Sequence, residues 1–376
     1  MSESTLGRGE VPRSKASLSF LLTVVSHHAW FLAYVGLYVV IVGALVSYSG
    51  RDFNPLDRYY LVAAALPPVA AAGFVVFGHV MFHLGHVRPF RPRALLSDIL
   101  DDDKLKAKRL IYALVPILLI LVFKSSFTSF KTAIPQLNPF AYDVLFMEID
   151  RALHFGRHPW EWLQPALGHP AVTGVISFLY KLWFACIYFV FFWQAFSMRD
   201  PALRMRYLLS YVLCWSLLGS LAALGFSSAG PCYFGLVTHV ADPYAPLLQY
   251  LREADQSFRN WSLAGQDYLW ANYQRGGVDP ASGISAMPSI HVAIAVLQAL
   301  LGWQVSRRLG WLLTAYCGVV LIGSVHLGWH YAIDGYLSIL AVVVIWKAVG
   351  WALRFHPSFT WSEAQAADGQ QTAPAR

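Results

Sequence analysis

Two short polar stretches hold the residues best suited to chemistry. The first is Gly283-Ile-Ser-Ala-Met-Pro-Ser-Ile-His291 and the second is Ser324-Val-His-Leu-Gly-Trp-His-Tyr-Ala-Ile-Asp334. Each is a small polar island beside a long apolar run. The i, i+4 spacing puts Asp334 on the same helix face as His330 if a helix starts there. A carboxylate bonded to one imidazole nitrogen fixes the tautomer and raises the basicity of the other nitrogen. A nucleophilic or basic histidine needs that arrangement. His291 falls in the first turn of the hydrophobic helix that follows Pro288-Ser289. Serines and backbone N–H groups at a helix start, here Ser285 to Ser289, favour an anion such as phosphate.

The pattern S-x-M-P-S-x-H ending at His291, followed by H-Y-x-x-D from His330, resembles the second and third motifs of the type 2 phosphatidic acid phosphatase superfamily. The Met before Pro-Ser, Tyr331 after His330 and a missing arginine are most similar to the inositol phosphorylceramide synthases and their bacterial relatives. The pair of motifs is specific, whereas either half alone is weak. The resemblance covers roughly residues 110–353. It implies that His330 attacks phosphorus to give a phosphohistidine, that Asp334 orients His330, and that His291 protonates the leaving oxygen and then activates the acceptor. A two-step covalent route needs one nucleophile and one acid–base group, and histidine suits both. Neither a cofactor nor a metal ligand is expected, and no Asp-rich helix for Mg²⁺ stands in the chain.

The departures from the family pattern bear on the substrate. The first motif, K-x6-R-P, is absent; Gly230-Pro231 stands in its place, with Ala223 at the lysine position. The arginine that precedes the third motif's histidine is replaced by Gly323 and Ser324. Phosphate charge still needs balancing in a low-dielectric site. The candidates are Lys131, Lys181, Arg275 and the helix N-terminus at Ser289, with Lys131 and Lys181 preferred; for Lys131 the competing reading is a snorkelling interfacial side chain. Ser285, Ser289, Lys131, Lys181, Tyr233 and Tyr331 make up the expected substrate-binding set. His326 reads better as a helix cap than as a phosphate contact. A phosphodiester carries one negative charge and needs less cationic clamping, so the expected reaction moves a phospho-head group from a phospholipid donor to a lipid-alcohol acceptor. The nearest family precedent uses phosphatidylinositol and ceramide. The alternative is hydrolysis of phosphatidate or a polyprenyl (di)phosphate. A transporter or scramblase, a different class, would line a path with intramembrane charges or show inverted repeats; Lys181 is almost the sole such charge, and no repeat is visible.

The elements that must position these residues follow from composition. Of the 376 residues, 57% are hydrophobic and only 13% charged, against about 25% charged in soluble domains, and mean hydropathy is +0.47. The chain is therefore expected to be an all-α polytopic membrane protein. About eight transmembrane helices are predicted, near 22–48, 60–84, 110–127, 171–196, 207–226, 289–305, 311–325 and 331–353. Residues 17–109 give two N-terminal spans and a basic loop. Residues 110–353 give a six-helix phosphatase-like core with an aromatic, proline-broken interfacial segment at 131–169. Residues 1–16 and 354–376 are polar and expected to be disordered. No cleaved signal peptide is expected. His27 and His28 read as satisfied or interfacial side chains. His79, His83 and His86 have metal-like spacing but no acidic or cysteine partner, which favours an interfacial face. The four cysteines read as packing residues, and the Asn260-Trp-Ser262 sequon is of a kind common by chance.

Charge sets the expected orientation. The net charge of +7 belongs to membrane-facing loops rather than to a nucleic-acid surface. With eight spans, both termini, the 88–109 loop, the loop with Arg199, Arg204 and Arg206, and Arg307-Arg308 fall on one side. That side holds about twice the Lys and Arg of the other and is expected to be cytoplasmic. His291 and His330 then share the opposite face, toward the periplasm or a lumen.

Overall fold

A computed structural model describes residues 13–56, 103–197, 200–279 and 281–356. The described residues form an all-helical, polytopic membrane protein with no strand. The helices that matter for the site are α1 (Arg13–Tyr48), α2 (Asp103–Leu137), α3 (Asp143–Leu153), α4 (Pro159–Leu167) and α5 (Pro170–Phe196). They are followed by α6 (Pro201–Gly225), α7 (Ala245–Asp255), α8 (Trp261–Arg275), α9 (Ile290–Val305), α10 (Arg307–His326) and α11 (Ala332–Ala352). Among the described residues, six helical stretches are long and apolar enough to cross a membrane: Phe20–Tyr48, Leu110–Leu137, Pro170–Phe196, Pro201–Gly225, Arg307–His326 and Ala332–Phe355. The expected second span, the 88–109 loop up to residue 102, and His79, His83 and His86 lie outside the described residues.

Local chemistry explains where the helices start. Pro159, Pro170 and Pro201 open α4, α5 and α6, where a missing N–H costs nothing. Asp200 accepts from Leu203 N (2.8 Å), Ser289 from Val292 N (3.4 Å) and Ser306 from Leu309 N (3.2 Å), capping α6, α9 and α10. The 16-residue α9 is about 24 Å long, short of a hydrocarbon core of about 30 Å. It is nonetheless the central helix, packed mainly on α10 and α11, and residues Val292 to Ala299 are buried without interruption.

Three boundaries differ from those read in the sequence. The third span does not end near Phe127; α2 continues to Leu137, which takes 131–137 out of the expected interfacial segment. The polar run there stays helical because its hydroxyls return to the helix backbone: Ser126 Oγ to Val122 O (2.8 Å), Ser129 Oγ to Ser125 O (3.2 Å) and Thr132 Oγ1 to Ser129 O (3.0 Å). The fifth span starts at Pro201, so Arg204 and Arg206 are helical rather than loop residues. Arg204 is buried and donates to the carbonyls of Gln194, Ala195 and Tyr112, while its Nη1 pairs with His28 Nε2 (2.9 Å). One side chain thereby ties α1, α2, α5 and α6, and His28 is a satisfied core residue. The region 227–287, which the sequence reads as one long polar loop between the fifth and sixth spans, carries α7 and α8. There Asn260 is buried and N-caps α8 by accepting from Ser262 N (3.1 Å), so the sequon is a capping motif. The four cysteines are free.

Candidate active site

The two polar islands meet because the first is fastened to the helix that opens from the second. In the first, Ala286 N donates to Ser228 O (2.9 Å) and Met287 N to Ser228 Oγ (3.2 Å). Ser289 N donates to Asp334 O (3.2 Å), and Ser338 Oγ returns to Ser289 O (2.9 Å), fastening the island to α11. In the second, Trp329 N and His330 N both donate to Ser324 O, at 2.9 and 3.1 Å, after a turn at Gly328 with φ of +72°. That turn folds His330 back from the end of α10 to the mouth of α11.

His330 Nδ1 lies 3.1 Å from Asp334 Oδ2. The pair does not share a helix face as the i, i+4 spacing suggested. The helix begins only at Ala332, and Asp334 in its first turn reaches back, accepting from Tyr331 N (3.1 Å) with the same oxygen. His330 is buried, and burial together with the nearby Lys131 pushes its pKa down to about 3, so the ring is neutral and keeps one nitrogen lone pair. The His291 ring stands 6.1 Å from the His330 ring, centroid to centroid. Tyr180 and Trp183 flank it at 4.8 and 4.3 Å, and Trp183 Nε1 donates to the His291 carbonyl (3.0 Å).

Both histidines line one cavity of about 700 Å³, whose wall also includes Lys124, Lys131, Lys181, Tyr233 and Ser285. Aromatic side chains from α5, α6 and α8 cover much of the rest, and among the described residues no Asp or Glu reaches the wall. Of the expected substrate-binding residues, Lys131, Lys181, Ser285 and Tyr233 are brought to this cavity. The Tyr233 hydroxyl is engaged, donating to Gln266 O (2.9 Å). Ser289 and Tyr331 are not on the cavity wall. Ser289 is fully buried as the cap of α9, and Tyr331 is buried with its hydroxyl donating to Asp143 Oδ1 (2.8 Å). Arg275 is away from the cavity, paired with Asp279 at 3.5 Å. His326 Nε2 meets Thr173 Oγ1 at 2.9 Å, a packing contact at the end of α10. Among the described residues, no three His, Cys, Asp or Glu side chains gather to hold a metal ion.

Three functional candidates escaped the sequence reading. Lys124 lies seven residues before Lys131, which brings both to the cavity side of α2, and its Nζ sits 2.7 Å from the Trp215 ring centroid. The spacing and the rarity of lysine in a span were the available signal. Asp143 and Asp150 repeat the spacing on α3, where with Phe146 they form the buried face of that helix. Asp143 accepts from Ala229 N (3.0 and 2.9 Å to its two oxygens), from Gly230 N (2.8 Å) and from Tyr331. Asp150 accepts from Ala332 N (2.6 Å) and Ile333 N (2.9 Å), the first N–H groups of α11. Burial raises the pKa of both, Asp150 to about 6, against the pull of the amides that bond them. Gly230, where the superfamily motif has an arginine, therefore spends its N–H on Asp143 rather than on a ligand.

Comparison with curated proteins and with solved structures finds no match. A family model described as PAP2 superfamily (PAP2_3) matches residues 145–348. That span is more than half of the chain and contains His291, His330, Asp334 and most of the cavity wall. The chain belongs to the PAP2 superfamily.

Proposed function

We propose that this protein transfers a phospho-head group from a phospholipid to a lipid alcohol through a phosphohistidine at His330. Membership of the PAP2 superfamily supports a lipid phosphatase or phosphotransferase type of activity. The observation that supports the phosphohistidine route is the bonded pair His330–Asp334 facing His291 across one cavity, and the aromatic wall of that cavity supports a lipid alcohol as the acceptor. Asp334 holds the proton on His330 Nδ1, which leaves the Nε2 lone pair for phosphorus. As the P–Nε2 bond forms, the bond from phosphorus to the leaving lipid oxygen breaks, and His291 gives that oxygen its proton. In the second step the acceptor hydroxyl loses its proton to His291 and attacks phosphorus, and the P–Nε2 bond breaks. Lys131 and Lys181 supply the positive charge that the missing arginines would have given. The aromatic wall favours an alcohol over water as acceptor by keeping the cavity poor in water. In this reading the site faces the periplasm or a lumen and both termini are cytoplasmic, as the charge balance of the loops supports.

A second reading has its own observation. Among the described residues, three lysines and no carboxylate on the cavity wall suit a phosphate with more than one negative charge, as in phosphatidate or a polyprenyl diphosphate, with water as the acceptor. A reconstituted assay separates the two. Purified protein receives labelled phosphatidylinositol with and without ceramide or diacylglycerol, beside labelled phosphatidate, with His330→Ala as control. The proposal expects a new phosphoinositol lipid only with the wild type and only with acceptor. Acceptor-independent release of phosphate from phosphatidate, with no transfer product, replaces it with the second reading.

A further inference from the structure

Asp143 and Asp150 are the buried charged groups nearest the site that the reaction just described does not use. They lie two helical turns apart on the one buried face of α3, a helix outside the membrane spans. From there a single helix holds the three residues that follow His330 and the loop that faces them. Asp143 takes the hydroxyl of Tyr331 and the amides of Ala229 and Gly230 from the facing loop. Asp150 takes the amides of Ala332 and Ile333. The first N–H groups of a helix have no partner within it, and the helix dipole favours an anion there. In many helices that position receives a ligand phosphate. In α11 it is filled by a side chain of the protein, with bonds of the strong, charge-assisted kind.

We infer that Asp150, supported by Asp143, is a positioning residue that fixes His330 against Asp334 by clamping the first turn of α11. The inference rests on the reading of His330 as the nucleophile. Asp334 sits in the turn whose first two amides Asp150 holds, so freeing those amides lets the turn that carries Asp334 fray and its distance to His330 vary. The hydrogen-bond partners that orient metal-ligating histidines tune activity by about 10- to 100-fold, and a similar size is expected for a group that orients His330.

The clamp also has a pH signature. The titratable groups facing Asp150 are His154 on its own helix, Asp334 and Tyr336 on α11, and Tyr244 before α7. With a pKa near 6, Asp150 is a carboxylate above that pH and gains a proton below it. Activity therefore falls as the pH drops through about 6. Stability moves the other way. Because the folded pKa is raised above the ordinary carboxyl value, the folded state takes up protons first, and this group stabilises the fold as the pH falls from about 6 towards about 4. Protonation of Asp150 in that window therefore lowers activity without this group destabilising the fold.

The test uses the full chain in liposomes with Asp150→Asn, Asp150→Ala and Asp143→Asn, assayed with labelled phosphatidylinositol plus ceramide and with labelled phosphatidate. Asparagine keeps one oxygen acceptor but no charge. The expected result for Asp150→Asn is a kcat lower by about 10- to 100-fold, a KM within about twofold, and loss of the activity limb near pH 6. An unchanged kcat and pH limb, or a loss matched by the loss of folded protein in all three variants, overturns the inference. A substrate-free readout separates this failure from failure of the proposed reaction. In ¹⁵N-histidine NMR, the wild type should show His330 as one tautomer protonated on Nδ1, and Asp150→Asn should show mixed tautomers. An unchanged His330 spectrum sinks the positioning role. A wild type inactive on both lipids, with the NMR change present, sinks only the phosphotransfer reading.

Discussion

At the scale of single residues, removing a polar side chain on or behind the cavity wall has a consequence set by what that side chain touches. Asp334→Asn keeps the shape but loses the charge and the tautomer control at His330. The expected loss in kcat is on the order of 10²- to 10⁴-fold with little change in KM, read from steady-state kinetics in liposomes. His291→Ala should lose as much with a natural lipid. It should lose far less in the first step with a p-nitrophenyl phosphodiester, whose leaving group needs no proton. A charged group in a span costs about 2.5–3.5 kcal/mol, and a cation–π contact such as that of Lys124 over Trp215 returns about 2 kcal/mol. The remainder is offset when an anion occupies the cavity. Lys124→Met and Lys131→Met should therefore raise KM, and each should raise the thermal midpoint of the empty protein or leave it unchanged. The sequence singled out His291, His330 and Asp334 because the proposed chemistry needs rare residues at fixed spacing, and the structure brings the three together. Lys124, Asp143 and Asp150 were not singled out, since a lone lysine or aspartate near a helix end has many commoner explanations. Ser289 and Tyr331 misled for the opposite reason. A serine ahead of a helix and a tyrosine beside a histidine look like ligand donors, but one caps α9 and the other bonds Asp143.

At the scale of elements, the site depends on turns that only glycine fits and on helices that begin where a side chain caps them. Gly283 has φ of +90°, and a Cβ there would stand 2.9 Å from Lys131 Cγ and 3.0 Å from its backbone carbon. Gly283→Ala should cost about 1–3 kcal/mol through backbone strain and push Lys131 aside. A lower unfolding midpoint together with a raised KM checks both effects. Gly230, at φ of +101° and with Trp329 O only 2.8 Å from an added Cβ, is bound by the same limits. The fourth, seventh and eighth spans were readable from apolar run length, because a bilayer sets helix length directly, whereas the expected sixth, α9, is shorter than a span. Where boundaries slipped, the cause was hidden hydrogen bonding. The Ser/Thr run after Phe127 looked too polar to span, yet its hydroxyls bond the helix's own carbonyls. Arg204 looked like a loop cation, yet it is enclosed by carbonyls from two neighbouring helices. Such satisfaction depends on neighbours remote in sequence, which no local pattern reveals.

At the scale of the whole molecule, both histidines sit at one end of the bundle, His291 at the start of α9 and His330 between α10 and α11, while Arg307 and Arg308 mark the opposite end. The proposed orientation puts the histidine end outside the cytoplasm. In sealed, right-side-out vesicles an impermeant thiol reagent should label Leu236→Cys, an exposed position near the site, and spare Arg308→Cys until the vesicles are opened. The reverse labelling overturns the orientation and leaves the chemistry standing. The central claim is that His330 carries the phospho-head group between two lipids. Its most direct test is rapid quench of the reconstituted protein with phosphorus-labelled phosphatidylinositol, followed by mass spectrometry of the histidine peptides. The account predicts an acid-labile phosphoinositol adduct on His330 that is absent in His330→Ala and that passes to ceramide on chase faster than it is lost to water. A product formed without any label on His330, or a label that leaves only as a water-soluble phosphate when ceramide is present, contradicts it.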